Sequence, residues 1–388
     1  MSEHRIDLSE FVLVKASTRD QILKTREASF QEWGRDIMDI ETWQKRESLL
    51  ESLDFIKENL ITWIFGKKAD LINPDETCSD SLEFFSQFET IKRPAFVKRC
   101  GSAQVEIVDS LNIPVYTCTN EHRGKGYGKR MLELAQKEMS KLSKVSMLHS
   151  DVGENFYGRC GWDAYKLIST IIPVDKNYNQ ENMNSTSTEA YFFDKEFASI
   201  LAKADSNVLL KEMQRSPITD STLVSVVPEF THYEWRNVRD NFEAKNCLNV
   251  TKVPVFYGAI VNNGNISPLI LKSKLEQTAS DTKQDISCPS FIIWTHRFKE
   301  NSILVLRTRI NSSDDVVPLV KAALKEAKDF NLSKVEFWNF YPEYTDKLIQ
   351  NFNVNSKLMK KSIPCLSLFD KTSDEKVEWL LNEQVSFV

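Results

Sequence analysis

The chain has 388 residues, more than one compact core usually contains, which predicts two domains. Hydrophobic residues make up 41% of it and charged residues 27%, a balance that excludes a wholly disordered or fibrous protein. Its 50 basic and 55 acidic residues give a net charge of −5, so no overall attraction to nucleic acid or anionic lipid is expected.

Predicted strands and helices follow a similar order in both halves of the chain. The first half is predicted to contain the strand Phe11–Lys15, a helix capped by Thr18, the strands Trp63–Phe65 and Phe84–Ile91, the extended segment Ile113–Thr119, a helix ending near Leu142, the strand Val145–His149 and a short helix at Asn155–Gly158. The second half is predicted to contain the strand Ile303–Ile310, a helix opened by Asp314, the strand Val335–Trp338, the helix Tyr344–Phe352 and the strand Ser362–Phe369. The repeated order predicts two copies of one fold, the second degenerate.

Polar segments divide the chain. Residues 177–190 are nearly free of large apolar side chains and are interpreted as a linker between domains at 1–176 and 191–388. A second polar segment, Lys272–Ser287, is interpreted as a surface loop.

The cysteines and histidines indicate the compartment and the metal content. The seven cysteines are an odd number without a CxxC pair, which is typical of free thiols in a reducing compartment. No secretory signal and no apolar run of about 20 residues occurs, so we expect a cytoplasmic protein that contacts no membrane. The five histidines form no i,i+4 pair and lie near no cysteine cluster, so no metal site is predicted.

A glycine-rich loop, Arg123–Gly128, precedes the best-defined predicted helix. Glycines let a backbone turn tightly and approach a ligand, while the free amides and the dipole of a helix N-terminus attract anions. With the cations of Arg123, Lys125 and Lys129, the loop predicts a pyrophosphate cradle; the alternative is a tight turn with incidental cations. The spacing matches neither a Walker loop nor a Rossmann turn, because Lys129 stands where a third glycine would be needed.

The loop resembles the acetyl-CoA motif of the GCN5-related N-acetyltransferase (GNAT) superfamily, Arg/Gln-x-x-Gly-x-Gly/Ala, through Arg123, Gly126 and Gly128. Downstream, Asn155–Trp162 is similar to the superfamily's Phe-Tyr-x-x-x-Gly-Phe/Trp segment. The resemblance covers residues 11–175. It implies an α/β (α+β) fold, with a mixed, mostly antiparallel sheet flanked by helices, followed by a second, degenerate GNAT-like domain.

The segment Met147–Trp162 and the long second half are also similar to the fungal lysine N6-acetyltransferases, which acetylate the side-chain amine of free L-lysine in lysine catabolism. This similarity implies acetyl-CoA as co-substrate and a small-molecule amine, L-lysine, as partner, without nucleic acid. Transfer is expected to be direct, in a ternary complex, because no cysteine is evidently placed as an acyl carrier. A protein or other small-amine N-acetyltransferase and a non-catalytic acyl-CoA-binding regulator stay open as alternatives, as does the oligomeric state.

The resemblance also implies which residues bind the cofactor. The strand before the loop would give main-chain contacts to the pantetheine arm, and Asn155 would bond that arm or cap its own helix. The predicted cofactor site comprises Tyr116, Thr117, Cys118, Arg123, Gly124, Lys125, Gly126, Tyr127, Gly128, Lys129 and Asn155.

Acetyl transfer to a lysine amine requires a base for the amine proton and an acid for the departing thiolate, since the amine has a pKa near 10.4. Tyr157 matches the superfamily's general acid; the alternative is a core aromatic residue. Glu89, on a predicted strand, and Asp151, at a strand end, are candidate bases, and each is as readily a structural group. His149 is a further but weaker candidate.

Two residue sets could hold an acceptor amino acid, whose carboxylate prefers a bidentate arginine. One is Thr90 with Arg93, and the other is the segment Trp294–Arg297, with Trp294 and His296. The sequence does not decide between them. In the second half, Asn311–Asp315 has no glycine or cation and ends in two aspartates, so we expect no CoA there. That half is interpreted as a cover over the acceptor site or as a structural buttress.

Overall fold

The computed structural model describes residues 7–72, 83–175, 189–262, 268–280 and 288–387. Its strands are β1 (Phe11–Lys15), β2 (Leu60–Lys67), β3 (Ser86–Lys98), β4 (Val105–Ile113), β5 (Tyr116–Cys118), β6 (Val145–Ser150), β7 (Asp163–Ala164), β8 (Ile168–Pro173), β9 (Ala190–Phe193), β10 (Ser221–Val226), β11 (Gly258–Val261), β12 (Phe291–Arg297), β13 (Ser302–Arg309), β14 (Lys334–Trp338), β15 (Asn355–Leu358), β16 (Ile363–Leu368) and β17 (Lys376–Trp379). Its helices are α1 (Arg19–Ser29), α2 (Ile40–Glu51), α3 (Asp54–Lys57), α4 (Lys68–Ile72), α5 (Tyr127–Met139), α6 (Glu154–Gly158), α7 (Lys195–Arg215), α8 (Phe230–Cys247), α9 (Pro268–Ser280), α10 (Val316–Asp329) and α11 (Thr345–Asn351).

Two sheets organise these described elements. The first runs β1-β2-β3-β4-β6-β16-β7, with β5 and β10 also paired to β3, and β17 paired to β10. The second runs β15-β8-β14-β13-β12-β11-β9. Neighbouring strands are antiparallel except for the pairs β4–β6, β10–β17 and β13–β14. The predicted fold class, with mostly antiparallel sheets flanked by helices and a second related sheet, is confirmed.

Local sequence explains the helices that border the first sheet. The Thr18 hydroxyl accepts a bond from the Gln21 amide, and the Gln21 side chain accepts one from the Thr18 amide, a capping box that starts α1. A π-helical turn, Phe30–Gly34, continues this helix. Helix α5 is strongly amphipathic, and it buries Met131 and Ala135 against the sheet.

The predicted loop at Lys272–Ser287 is wrong in its first part, because Lys272–Ser280 belong to helix α9. Leu271, Leu275 and Ala279 are buried at a spacing of four residues, and they join the core beside α7. From Lys272 onward the other residues of the helix are polar, so this stripe supplies its apolar contacts there. Residues 281–287 lie outside the described ranges.

The two sheets exchange strands across the predicted domain boundary. Strand β8, from the first half, pairs with β14 in the second sheet, where Ile172 faces Val335. Strand β16, from the second half, pairs with β6 in the first sheet, where Cys365 faces Leu148. The predicted linker lies between β8 and β9, mostly outside the described residues, and the division of the chain there stays a prediction.

A buried charge cluster joins α7 to the second sheet. The Asp205 carboxylate is fully buried and accepts bonds from Arg307 Nε at 2.9 Å and from Arg309 Nε at 2.6 Å. Burial alone would raise the pKa of Asp205, but the two arginines lower it below its ordinary value. Arg307 also donates to Glu383, whose carboxylate accepts from the Thr308 amide at 2.8 Å. The cluster thus ties α7, β13 and the segment after β17 together.

Replacing Asp205 with Asn should destabilise the protein by about 3 kcal/mol, because it removes the buried carboxylate that Arg307 and Arg309 share and leaves them only Glu383 and Glu212. Chemical denaturation followed by circular dichroism measures this change. Asp220→Asn is the control, since the exposed pair of Asp220 with Lys376 should contribute nothing measurable. Equal stability of the two variants would contradict the structural role of the cluster.

Candidate active site

Strand β5, the short turn Asn120–His122 and helix α5 position the predicted cofactor loop. Gly124 and Gly126 have φ angles of 75° and 89°, in the left-handed region that favours glycine. Gly126 is the N-cap of α5, and its carbonyl accepts the first helical bond, from the Arg130 amide at 3.0 Å. The amides between them therefore have no partner within the helix and are available to an anionic ligand.

Gly128 allows α5 to approach the strand that precedes the loop. A Cβ atom at this position would overlap the hydroxyl of Tyr116. The Tyr116 ring is fixed in turn by edge contacts with Phe156 and Tyr157, each 5.9 Å away between ring centres. The glycine of the motif is thus required by the packing of Tyr116.

The three predicted cations of the loop are all accessible, and two of them already have partners. Arg123 donates from Nε to the Cys118 carbonyl at 3.0 Å, and its Nη2 lies 2.6 Å from Glu32 Oε1. Lys129 lies 3.8 Å from Glu133, and Lys125 is exposed. All three lie within three residues of Gly126, the N-cap of α5, so a pyrophosphate bound there would have these cations nearby in the chain.

The remaining predicted cofactor residues differ in what they can offer. Thr117 is buried, and its hydroxyl contacts the Gln87 amide at 3.3 Å, while the Cys118 thiol contacts the Phe85 carbonyl at 3.5 Å. Asn155 is exposed on α6. The Tyr127 side chain packs in the core against Phe85, so only its backbone amide faces the predicted cofactor site.

A cavity of about 440 Å³, within the range of small-molecule sites, is lined by Tyr116 at the start of β5, the strand that precedes this loop. Its wall combines α1, α2, β3 and the end of β6 from the first half with α8, the turn after β12 and residues 384–387 from the second. The lining includes six cationic and six acidic side chains, namely Arg26, Arg46, Arg236, Arg239, Arg297 and Lys299 with Glu47, Glu51, Glu89, Asp151, Glu243 and Glu300.

Glu89 lines this cavity from near the start of β3, where its amide bonds the Val115 carbonyl at 3.0 Å. Burial raises the pKa of Glu89 to about 8, assisted by the charges of Glu47 and Glu51 and opposed by nearby arginines. A carboxylate in this environment is a stronger base than an ordinary glutamate. It is suited to accept a proton from an amine.

Tyr157 lines the same cavity from α6 and is only 5% exposed. Burial raises the pKa of Tyr157 well above its ordinary value, so the phenol stays protonated throughout the neutral range. Tyr116 is also in the wall, and burial likewise raises its pKa. Two protonated phenols therefore lie beside the cavity, and Tyr157 matches the acid of the motif.

The other two candidate bases reach the cavity but are less suited to proton transfer. Asp151 accepts bonds from the Ser362 amide at 2.9 Å and the Ser362 hydroxyl at 3.2 Å, which links the end of β6 to the start of β16. Burial, followed by the charge of Arg236, lowers the pKa of His149 to about 3. An imidazole with so low a pKa is a poor acceptor for an amine proton.

The structure does not bring the predicted acceptor residues to the cavity wall. Thr90 accepts the Trp63 indole N–H at 3.0 Å, and Arg93 donates to the Val385 carbonyl at 2.9 Å behind the wall. Trp294 and His296 point away from the cavity, into the core under α10, where the imidazole lies 2.9 Å from Glu326.

Alternation along β12 explains why Arg297 reaches the cavity while Trp294 and His296 do not. Thr295 lies on the opposite face from His296 and donates to Asp240 of α8 at 2.8 Å. Arg297, on the same face, lines the cavity.

Helix α8 supplies residues that the sequence does not single out. Arg236, Arg239 and Glu243 follow one another at helical spacing and line the cavity. Arg46 of α2 lies 2.6 Å from Glu243, which joins the helices of the two halves. The signal in the sequence is a charged stripe with an i, i+3, i+7 spacing, which a solvent-exposed helix would also show.

The corresponding place in the second sheet is filled by protein. The Glu383 carboxylate bonds the Thr308 amide, and the Tyr341 hydroxyl bonds the Thr308 carbonyl at 3.1 Å. Both groups occupy the edge of β13 beyond its pairing with β14. This edge of β13 is thus bonded by the protein's own side chains, and the absence of CoA from the second half stays a prediction.

Within the described ranges, no cluster of three or more His, Cys, Asp or Glu side chains is arranged to hold a metal ion. Nor does any helix in those ranges have the length and apolar character needed to cross a membrane.

Strands β4 and β6 pair in parallel and end their ladder at Ile113 and Leu148, next to the glycine loop of α5. This sheet, the loop and the Asn155–Trp162 segment define a GNAT-type acetyltransferase. The family described as LYC1 GNAT-like C-terminal domain matches residues 174–388, and the chain belongs to that family.

Relatives and solved structures agree with this assignment. A lysine acetyltransferase of Yarrowia lipolytica is 23% identical over 371 residues, which cover 84% of each chain. A GCN5-related N-acetyltransferase from Anabaena variabilis is 13% identical and superposes with a TM-score of 0.53, over 93% of this chain and 73% of that one. One from Kribbella flavida is 10% identical, with a TM-score of 0.50 over 93% and 72%. The two structures share the fold.

Replacing Gly128 with Ala should weaken acetyl-CoA binding ten- to a hundredfold, because the methyl group must displace Tyr116 at a cost of about 1–3 kcal/mol. Calorimetric titration measures the dissociation constant.

Tyr116→Phe in the same chain removes the overlapping hydroxyl and should restore most of the affinity. Gly158→Ala is the control, since a Cβ there meets no atom within 4 Å. Full affinity in Gly128→Ala would show that this loop does not hold the cofactor.

Proposed function

We propose that the protein transfers the acetyl group of acetyl-CoA to the ε-amine of free L-lysine, by direct attack in a ternary complex, as a step of lysine degradation. The observation that carries this proposal is the cavity of about 440 Å³, in which Glu89 and Tyr157 share one space with a ring of opposite charges. The name of the Yarrowia lipolytica relative, a lysine acetyltransferase, supports the choice of acceptor.

The reaction needs a neutral amine at the thioester carbonyl. Glu89 takes the proton of the ammonium group, directly or through a water molecule, and its raised pKa lowers the free-energy cost of that transfer. The freed nitrogen lone pair then attacks the carbonyl carbon and forms the new C–N bond. Asp151 is the less favoured base, because Ser362 already bonds its carboxylate.

The leaving group needs a proton as the carbon–sulfur bond breaks. Tyr157 donates its phenolic proton to the CoA thiolate, and its buried position keeps that proton in place until then. As the tetrahedral intermediate collapses, its nitrogen loses a second proton, which passes to the Tyr157 phenolate and restores the phenol. The one net proton released by the reaction is then on Glu89, which returns it to solvent.

Acetyl-CoA would be held by the amides at the start of α5 and by Arg123, Lys125 and Lys129. The second half then acts as a cover that limits the acceptor to a small molecule, since α8 and residues 384–387 build one side of the cavity. The mixture of six cationic and six acidic side chains suits an acceptor that carries both charges. Six described cysteines are free thiols, which supports a cytoplasmic location.

Thiol release from acetyl-CoA tests the acceptor. With a panel of L-lysine, shorter diamino acids, polyamines and a lysine-containing peptide, we expect release with L-lysine and little with the peptide, because the cavity has walls from both halves. Mass spectrometry of the product should place the acetyl group on the ε-amine. Thiol release with the peptide would mean a protein acceptor. Binding of CoA without thiol release for any acceptor would mean a non-catalytic CoA-binding protein.

The pH dependence tests the base. Below its folded pKa of about 8 Glu89 is protonated and inactive, so kcat/KM should rise about tenfold per pH unit and level off above that value. The substrate amine titrates separately, near 10.4.

Glu89→Gln should lower kcat about 100-fold or more and remove the rise near pH 8. Asp151→Asn is the matched comparison and should keep that rise. The reverse outcome would make Asp151 the base.

A further inference from the structure

Arg236 is a buried cation in the cavity wall without a carboxylate partner. Its side chain is 1% exposed, and it lines the cavity from helix α8. Its Nε and Nη1 atoms are buried and have no hydrogen-bond partner in the part of the chain that the structure describes. Buried guanidinium groups are normally paired, because an isolated charge is costly in a medium of low dielectric constant.

The neighbouring charges of the wall do not supply that partner. Three ion pairs occupy these charges: Arg239 with Asp240 at 3.3 Å, Arg46 with Glu243 at 2.6 Å, and Arg297 with Glu300 at 2.5 Å. Asp240 is further engaged by the Thr295 hydroxyl at 2.8 Å.

Around Arg236 itself the surroundings are mostly aromatic. Its guanidinium carbon lies 5.3 Å from the Phe387 ring and 6.0 Å from the Trp235 ring. Burial, followed by the charge of Arg239, lowers the pKa of Arg236 to about 9. The guanidinium group of Arg236 is thus buried away from water, and no carboxylate of the described residues pairs with it.

We propose that Arg236 binds the α-carboxylate of the acceptor amino acid in the cavity. This inference rests on the proposed function, since it assumes that the acceptor is an amino acid with a distal amine. A guanidinium fork matches a carboxylate in geometry and charge, and the Phe387 ring contacts this guanidinium with its centre 5.3 Å away.

Arg236 and the proposed base belong to different elements of the wall, α8 and β3. Glu243 lies seven residues beyond Arg236, about 10 Å along the helix axis. Glu243 bonds Arg46, whose charge acts on Glu89. With the α-carboxylate held at Arg236, we expect the distal amine of the acceptor, and not its α-amine, to reach Glu89.

The test compares acceptors that differ only in the carboxylate. Wild-type protein should use L-lysine at least about 100-fold more efficiently, in kcat/KM, than cadaverine, which is lysine without its carboxylate. Arg236→Met should remove most of that ratio by raising the KM for lysine, with kcat for cadaverine and the KM for acetyl-CoA unchanged. Arg236→Lys keeps the charge without the fork and should fall between the two. Arg99→Met is the control, because Arg99 pairs with Asp370 and is not part of the cavity wall.

Binding to the wild-type protein gives a readout that needs neither turnover nor a stable variant. Calorimetry on the protein with CoA bound should show norleucine binding at least tenfold more tightly than pentylamine, its counterpart without the carboxylate. Equal binding of the two, or an equal loss of lysine and cadaverine turnover in Arg236→Met, would overturn the carboxylate site. Wild-type protein that binds norleucine in this way but acetylates no lysine would overturn the proposed function and leave the site standing.

Discussion

The pairing of β16 with β6 is the constraint on which the cavity depends. Six consecutive residues, Ile363–Leu368, form a ladder with Val145–Ser150 and so fix a strand of the second half beside the strand that ends just before Asp151. The chain then returns through β17 to residues 384–387, where Arg93 and the Glu383 contacts hold it against the cavity. The site is therefore a product of both halves and cannot be assigned to one of them.

Charge in a medium of low dielectric constant is the second organising feature. Most ionised groups of the cavity wall neutralise one another in pairs, such as Arg46 with Glu243 and Arg297 with Glu300. Glu89 and Arg236 have no ion-pair partner among the described residues, and burial acts on both in the same sense, against the charged form. The groups assigned to proton transfer and to acceptor binding are thus two whose charge the cavity wall does not neutralise by direct pairing.

The cofactor loop could be predicted from sequence because its requirements are local. Positive φ angles at Gly124 and Gly126, the close approach of Gly128 to Tyr116, and the amphipathic pattern of α5 all leave a mark within a few residues. The capping box at Thr18 is equally local. Tyr157 is predicted from the resemblance of the whole segment Asn155–Trp162 to the GNAT motif.

The acceptor side could not be predicted, because its determinants are contacts between distant segments. His296 is predicted as an acceptor-binding residue from its residue type, yet its imidazole bonds the Glu326 carboxylate inside the core. The charged stripe of α8 looks like a solvated face until packing against α2 and β12 buries Arg236. Strand periodicity predicts that residues 363–368 form a strand, but it does not indicate which strand pairs with it.

The exchange of strands has a consequence for how the protein forms. Strand β6 must wait for β16, which is synthesised about 200 residues later, before its second edge is paired. Until then its buried, apolar edge is open to other chains, the situation in which folding intermediates associate. Contacts so distant in sequence also slow folding, because loop closure precedes any gain from the ladder. The first half therefore cannot complete its fold on the ribosome before the second half is synthesised, and the two halves fold together late in synthesis.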